Sequence, residues 1–236
     1  MITITVGVEW INDFHSDACS QNKLVYMNSH AEGFLNSMVA KGHVSVFDWG
    51  NDNAWETDFR NPASGGGGDA LNWSDEVNFC YFADHGGNWS NVLHIAFSKS
   101  HNQCLGASDT WKLGAKNLKW LVLDICDGTL DTTASAVIDV WGGPMQGIHL
   151  IFTFVGNTSP WSASEGSDFG SDAGSGKVLS NAWLDRTFSS SIGNSPIAIA
   201  AGATQDEAIN RRENETVNWR DYPVSSTNWL AWKWRY

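Results

Sequence analysis

Val77-Asn78-Phe79-Cys80-Tyr81-Phe82-Ala83-Asp84-His85-Gly86-Gly87 and Leu118-Lys119-Trp120-Leu121-Val122-Leu123-Asp124-Ile125-Cys126-Asp127-Gly128 are apolar runs that each end in a reactive side chain beside glycine. Runs of this length, rich in aromatic and β-branched residues and halted by Gly, read as strands buried on both faces of a parallel sheet. Ligands of such sheets sit at the carboxyl ends of the strands. If the two strands are neighbours, His85 and Cys126 emerge at one edge. A thiol with a nearby imidazole is the minimum equipment for nucleophilic acyl transfer.

The rest of the chain alternates strand and helix signals. Residues 2–10 read as a first strand, Val44 to Trp49 as a second, Ile148 to Val155 and Pro196 to Ala201 as two more. Ser29-His30-Ala31-Glu32 has the capping-box pattern, which predicts a helix running to about Lys41. Thr204 and Glu207 repeat the pattern before a helix toward Arg212, and Lys177 to Phe188 reads as helical. Ala134, Val137, Ile138 and Trp141 are spaced i, i+3, i+4, i+7, so a helix follows Cys126 as a βαβ crossover demands. Gly65-Gly66-Gly67-Gly68 marks a flexible loop expected near the site, and residues 156–176, rich in Ser, Gly and Asp, read as irregular.

A chain of 236 residues suffices for one large α/β domain spanning residues 1–236. Its net charge of −12 and pI near 4.8 argue against nucleic acid or anionic membrane as partner, since both would repel it. No apolar stretch reaches the roughly 18 residues of a membrane span. Met1-Ile2-Thr3-Ile4-Thr5-Val6 lacks a basic n-region and runs straight into a strand, so the expected location is cytoplasmic; a secreted form would need a leader outside this sequence. Cys19, Cys80, Cys104 and Cys126 have no CxxC spacing. Cys80 reads as inert core. Cys19 and Cys104 lie in loop-like sequence and would pair only in an oxidising compartment, so they are expected as free thiols.

The pairing of His85-Gly86 with Asp124-Ile125-Cys126 resembles the caspase-like cysteine peptidases, the superfamily of caspases, metacaspases, legumains and gingipains. There a buried strand ends in His-Gly and the next core strand ends in the nucleophilic Cys, often as Asp-x-Cys. The gap of 126 − 85 = 41 residues suits one crossover between adjacent strands. The resemblance covers residues 75–130 in detail and departs from it after the Cys, where metacaspases carry His-Ser-Gly and this chain has Asp127-Gly128-Thr129.

The resemblance implies a three-layer α/β/α sandwich with a mostly parallel central sheet, a peptide or protein substrate, and no cofactor. Cys126 would attack the scissile carbonyl, and His85 would hand a proton to the departing amine. The backbone N–H groups of Gly86 and Cys126 would hold the oxyanion, with glycine at 86 admitting the substrate carbonyl. Asp124 corresponds to an acidic residue of the primary specificity pocket in metacaspases, and Asp13, after the first strand, would add a second carboxylate. Two such groups would favour a substrate Arg. The alternative for both is a solvated or turn-capping role.

Two rival readings remain. One is a catalytically inactive relative that binds without cleaving. The other is a carbohydrate-binding module, since the 14 tryptophans, dense at Trp229-Leu230-Ala231-Trp232-Lys233-Trp234, could stack on sugars. A metal site has no sequence support. Asp168 and Asp172 lie in an acidic stretch without EF-hand spacing and are read as a solvated loop, and His15, His30, His43, His94, His101 and His149 show no HExxH or other ligand pattern.

Overall fold

The structure is a computed structural model, and it describes residues 2–15, 17–98, 103–160, 162–219 and 226–236. His101 lies outside the described residues. Ten strands are present among the described residues: β1 (Thr5–Trp10), β2 (Val44–Gly50), β3 (Phe79–Ala83), β4 (Gly86–Trp89), β5 (Val92–Ala96), β6 (Leu105–Ala107), β7 (Trp120–Asp124), β8 (Leu150–Phe154), β9 (Pro196–Gly202) and β10 (Trp229–Trp234). Seven of them form one sheet in the order β10-β9-β8-β7-β3-β1-β2. β2, β1, β3, β7 and β8 run parallel, and β9 is antiparallel to both β8 and β10. The expected mostly parallel α/β sheet is therefore present.

Every residue of β3, β7, β8 and β9 is buried, which is why these strands read as continuous apolar runs rather than alternating ones. Phe79, Tyr81, Trp120, Val122 and Phe152 face one core, and Cys80, Phe82, Leu121, Leu123 and Ile151 face the other. Helices α1 (Met27–Ala40), α3 (Glu165–Gly174) and α4 (Leu179–Thr187) cover the first face, with α5 (Gln205–Asn214) against β9 and β10. The second face carries α2 (Ala134–Trp141) and an antiparallel sheet of β4, β5 and β6. The second outer layer is thus largely β and loop, where an α/β/α sandwich predicts helix. Neither that small sheet nor β10 had a sequence signal strong enough to be read.

Some boundaries differ from expectation. α1 begins at Met27, after Tyr26 in a left-handed conformation (φ 72°), so Ser29 and Glu32 lie inside the helix and cap nothing. Thr204 does cap α5, accepting the Glu207 N–H. In α2 the buried face is Val137, Val140 and Trp141, while Ile138 is exposed.

The largest correction is α3, a helix in the stretch 156–176 that the sequence presents as irregular. Glycine is a poor helix former, and this helix carries three. Gly166, Gly170 and Gly174 recur every four residues on one face, and a Cβ on any of them would strike α1 or Lys41, which follows it: the His30 carbonyl, the Phe34 carbonyl at 2.8 Å, or Lys41 Cγ at 2.8 Å. The glycines let two helices touch backbone to backbone. Asp168 and Asp172 are accordingly helical, and Asp172 pairs with Lys177 and Arg186. The loop of Gly65 to Gly68 packs on Arg60 and Asn61.

Candidate active site at the ends of β3 and β7

Parallel pairing sets Ala83 opposite Asp124 as the last pair of the two strands, and the Asp84 N–H then donates to the Asp124 carbonyl at 3.2 Å. His85 and Cys126 each follow that pair by the same step, 85 − 83 = 126 − 124 = 2 residues. The two strand ends stay in contact beyond the sheet. A Cβ on Gly86 would lie 2.7 Å from Ile125 Cδ1 and 2.8 Å from the Cys126 carbonyl oxygen. The glycine expected to admit a substrate carbonyl is thus required first for close approach of the His85 and Cys126 turns.

His85 sits between β3 and β4, half-buried, with the Phe14 ring 5.7 Å away. Its Nε2 lies 2.8 Å from the Asn22 carbonyl oxygen. A carbonyl only accepts, so Nε2 carries the proton and Nδ1 of the neutral ring remains as an acceptor. Asn22 belongs to a segment anchored at both ends. The Leu24 N–H donates to the Asn12 carbonyl, and Cys19 is joined to Cys104 by a disulfide. The expectation of two free thiols is corrected: the fold brings together residues 85 apart in sequence, a proximity that spacing alone does not reveal.

Cys126 is a half-buried free thiol that donates to the Thr158 carbonyl at 3.3 Å and accepts from the Thr158 N–H at 3.4 Å. Burial pushes it above its ordinary range, the Thr158 hydrogen bond opposes this, and the charges of Asp127 and Asp124 add to the rise. At neutral pH it rests as the thiol. The next residue, Asp127, has a left-handed backbone (φ 53°) held by its N–H on the Gly156 carbonyl at 2.7 Å. That turn is sharp, and such outliers concentrate at functional sites. The side-chain hydrogen bonds described for His85 and Cys126 run to Asn22 and Thr158, not to each other.

Beside His85 opens a cavity of about 170 Å³, walled by Gln21, Gly87, Trp89, His94, Ala96 and Leu105. Trp89 and His94 stack face to face, 3.6 Å between centroids. The disulfide brackets this cavity, since Gln21 follows Cys19 closely and Leu105 follows Cys104 directly.

Asp124 stands differently from the expected pocket carboxylate. It is buried on the α1 side of the sheet, where its Oδ2 accepts from Tyr81 Oη at 3.0 Å and from His30 Nδ1 at 2.7 Å. His30 Nε2 meets the Ser162 carbonyl at 2.7 Å and Glu165 at 3.2 Å. Burial alone would lower the His30 pKa; Asp124, by charge and hydrogen bond, then Glu165 and Ser162 reverse this and hold it up at about 9. His30, Asp124 and Glu165 offer ligand-type atoms within 4.8 Å of one another. With both ring nitrogens donating, however, the imidazolium has no lone pair for a metal, and the group is a buried ion cluster. Asp13 is half-exposed and pairs with Lys23 at 2.5 Å.

Residues 8–235 match the sequence profile of DUF6345, described as a domain of unknown function. The chain belongs to the DUF6345 family. No curated protein matches it. The whole site of this DUF6345 domain, from Asn22 and His30 through His85 and Cys126 to Glu165, falls inside the matched span. Sequence reasoning found the His and the Cys but missed Asn22, Thr158 and His30. The first two act through backbone atoms, which carry no residue-type signal, and His30 reads as one more polar residue of a helix.

Proposed function

We propose that this DUF6345 protein is a cysteine-dependent acyl-transfer enzyme of the caspase-like type, cleaving or transpeptidating peptide bonds through Cys126 and His85. The observation that carries the reading is the shared register of β3 and β7, which delivers an imidazole and a thiol to adjoining strand ends. Asn22 supports it by accepting the Nε2–H hydrogen bond, which leaves Nδ1 for proton transfer. In the proposed reaction the Cys126 proton passes to His85 as Sγ bonds to the scissile carbon. The amides of Gly86 and Cys126 hold the oxyanion. Collapse breaks the C–N bond, and His85 returns the proton to the departing amine. Water then releases the thioester as an acid, or an amine converts it to a new amide.

For the cleaved position we favour a basic residue recognised through Asp13, whose partner Lys23 is 79% exposed and readily displaced. Asp124 cannot take a substrate cation without breaking its buried pair with His30. The cavity beside His85, where the departing amine would take its proton, would receive the side chain on that side of the bond. No helix among the described residues is long and apolar enough to cross a membrane. The Cys19–Cys104 disulfide favours an oxidising compartment over the cytoplasm. Purified protein tests the reading: peptide turnover that survives Cys126→Ala removes it.

Carbohydrate binding is the second reading. A groove of about 930 Å³ runs along β10 past Trp229, Trp232, Trp234 and Ile138, with Trp229 and Trp234 half exposed. Glycan titration with Trp234→Ala as control decides it.

A further inference from the structure

Trp49, Trp55 and Trp73 converge on a second cavity, of about 130 Å³, which they share with Asn53 and Asp58. Trp49 comes from the end of β2, Trp55 precedes a one-turn helix that Asp58 ends, and Trp73 follows another. Trp49 and Trp73 meet edge to face with centroids 5.7 Å apart. Two rings are pinned by their nitrogens, Trp55 Nε1 on the Asp52 carbonyl at 2.8 Å and Trp73 Nε1 on Asp69 at 3.0 Å. Their N–H groups are therefore spent, and what these rings offer the cavity is π surface.

Asp58 is the second and independent observation. It is only 2% exposed, and although Oδ2 accepts the Trp55 backbone N–H at 3.1 Å, Oδ1 is buried with no partner. A buried carboxylate oxygen without a donor is costly and calls for an explanation. Glu9, fully buried in β1 with both carboxyl oxygens unpartnered, lies within electrostatic reach of Asp58; burial, with Asp69 and Glu56 adding to it, holds the Asp58 carboxyl up at about 7, so a cation beside it would favour its ionised form. The neighbouring cation, Arg60, is engaged with Glu56 at 3.0 Å. Three aromatic walls and a buried carboxyl with one open oxygen make a site where a bound cation would find both π surface and a counter-charge.

We propose that this cavity binds a methylated, quaternary ammonium head group, held against the faces of Trp49, Trp55 and Trp73 with Asp58 as counter-charge. Indole attracts cations through its quadrupole, most strongly where water is excluded. A primary ammonium fits poorly, because its three N–H donors would find one open carboxylate oxygen and otherwise aromatic carbon. A trimethylammonium group has no donors to satisfy, and its methyls fill apolar walls. The site is separate from Cys126 and His85 and does not depend on their chemistry.

Such a head group could come from a free small molecule, a trimethylated lysine or a choline lipid. The test uses the full chain, with tetramethylammonium chloride as probe, read by tryptophan fluorescence and calorimetry at constant ionic strength. Tetramethylammonium should saturate and bind at least about tenfold tighter than ammonium or 3,3-dimethylbutan-1-ol, the neutral isostere of choline. Trp55→Ala and Trp73→Ala should each weaken it by about tenfold or more. Asp58→Asn, which keeps the shape and removes the charge, should do the same with an unchanged melting temperature; should it fail to fold, Trp49→Phe serves as the milder second variant and should weaken binding severalfold. Displacement of the probe by choline, by a trimethyl-lysine peptide or by phosphatidylcholine vesicles identifies the source. A probe that does not saturate, that binds no better than its neutral isostere, or that none of the three displaces overturns the assignment.

Discussion

The Asn22 carbonyl holds the His85 imidazole from outside the sheet, with 2.8 Å between its oxygen and Nε2. The contact fixes the tautomer that general acid and base chemistry at Nδ1 requires, and it depends on a segment that the Cys19–Cys104 disulfide ties down.

Replacing both Cys19 and Cys104 by Ser should therefore do two things. Closing 85 residues with a crosslink typically contributes about 2–4 kcal/mol, so the melting temperature should drop. Peptide turnover, measured well below that temperature, should fall by about tenfold or more as Asn22 loses its place. Full turnover in the folded double variant would show that the segment does not orient His85.

Gly86→Ala tests the contact between strand ends. The added methyl would meet the Cys126 carbonyl, a backbone atom, at 2.8 Å, so one turn must shift. Turnover should fall at least about tenfold, the usual result of displacing a catalytic group by a fraction of an ångström to one ångström. A variant as active as wild type would mean that the two turns are not held in register.

Stability should depend on pH through His30. Its folded pKa of about 9 lies above the ordinary value of about 6.5, so protonation favours the fold. The contribution is whole below about pH 6.5 and is lost as pH rises through about 9. Thermal melts should show wild type weakening across that window, and His30→Gln should be less stable at pH 6.5 with a flatter profile. Identical profiles would contradict a charged His30.

Asp13 and Asp124 should separate by assay. Asp13→Asn should cost substrates with Arg at the cleaved position about tenfold in kcat/KM and spare neutral ones, as expected for one lost charge-assisted contact. Asp124→Asn should instead lower the melting temperature, since the amide can still accept a hydrogen bond but no longer supplies the counter-charge of buried His30. A peptide library preferring Asp or Asn at that position would remove the basic specificity.

The parts that were legible in the sequence were those where side-chain type decides. β3 and β7 could be placed because strands buried on both faces must be apolar throughout, and the turns after them because Gly86 and Gly128 interrupt the runs. α3 was illegible because its glycines serve the approach to α1, a tertiary reason that outweighs helix propensity. The His30–Asp124 pair spans 94 residues and the disulfide 85, and neither distance leaves a local trace. The pocket role of Asp124 comes from the caspase-like resemblance alone, and nothing local in the sequence says that His30 on α1 packs against it.

The most direct test of the central claim is intact-mass measurement after treatment with a peptidyl acyloxymethyl ketone carrying Arg next to the ketone. Wild type should gain one adduct, mapped to Cys126, while buried Cys80 stays unmodified. His85→Ala should still be alkylated, more slowly, while losing peptide turnover by about a hundredfold or more. No adduct at Cys126, or an adduct that persists in Cys126→Ala, would contradict the account.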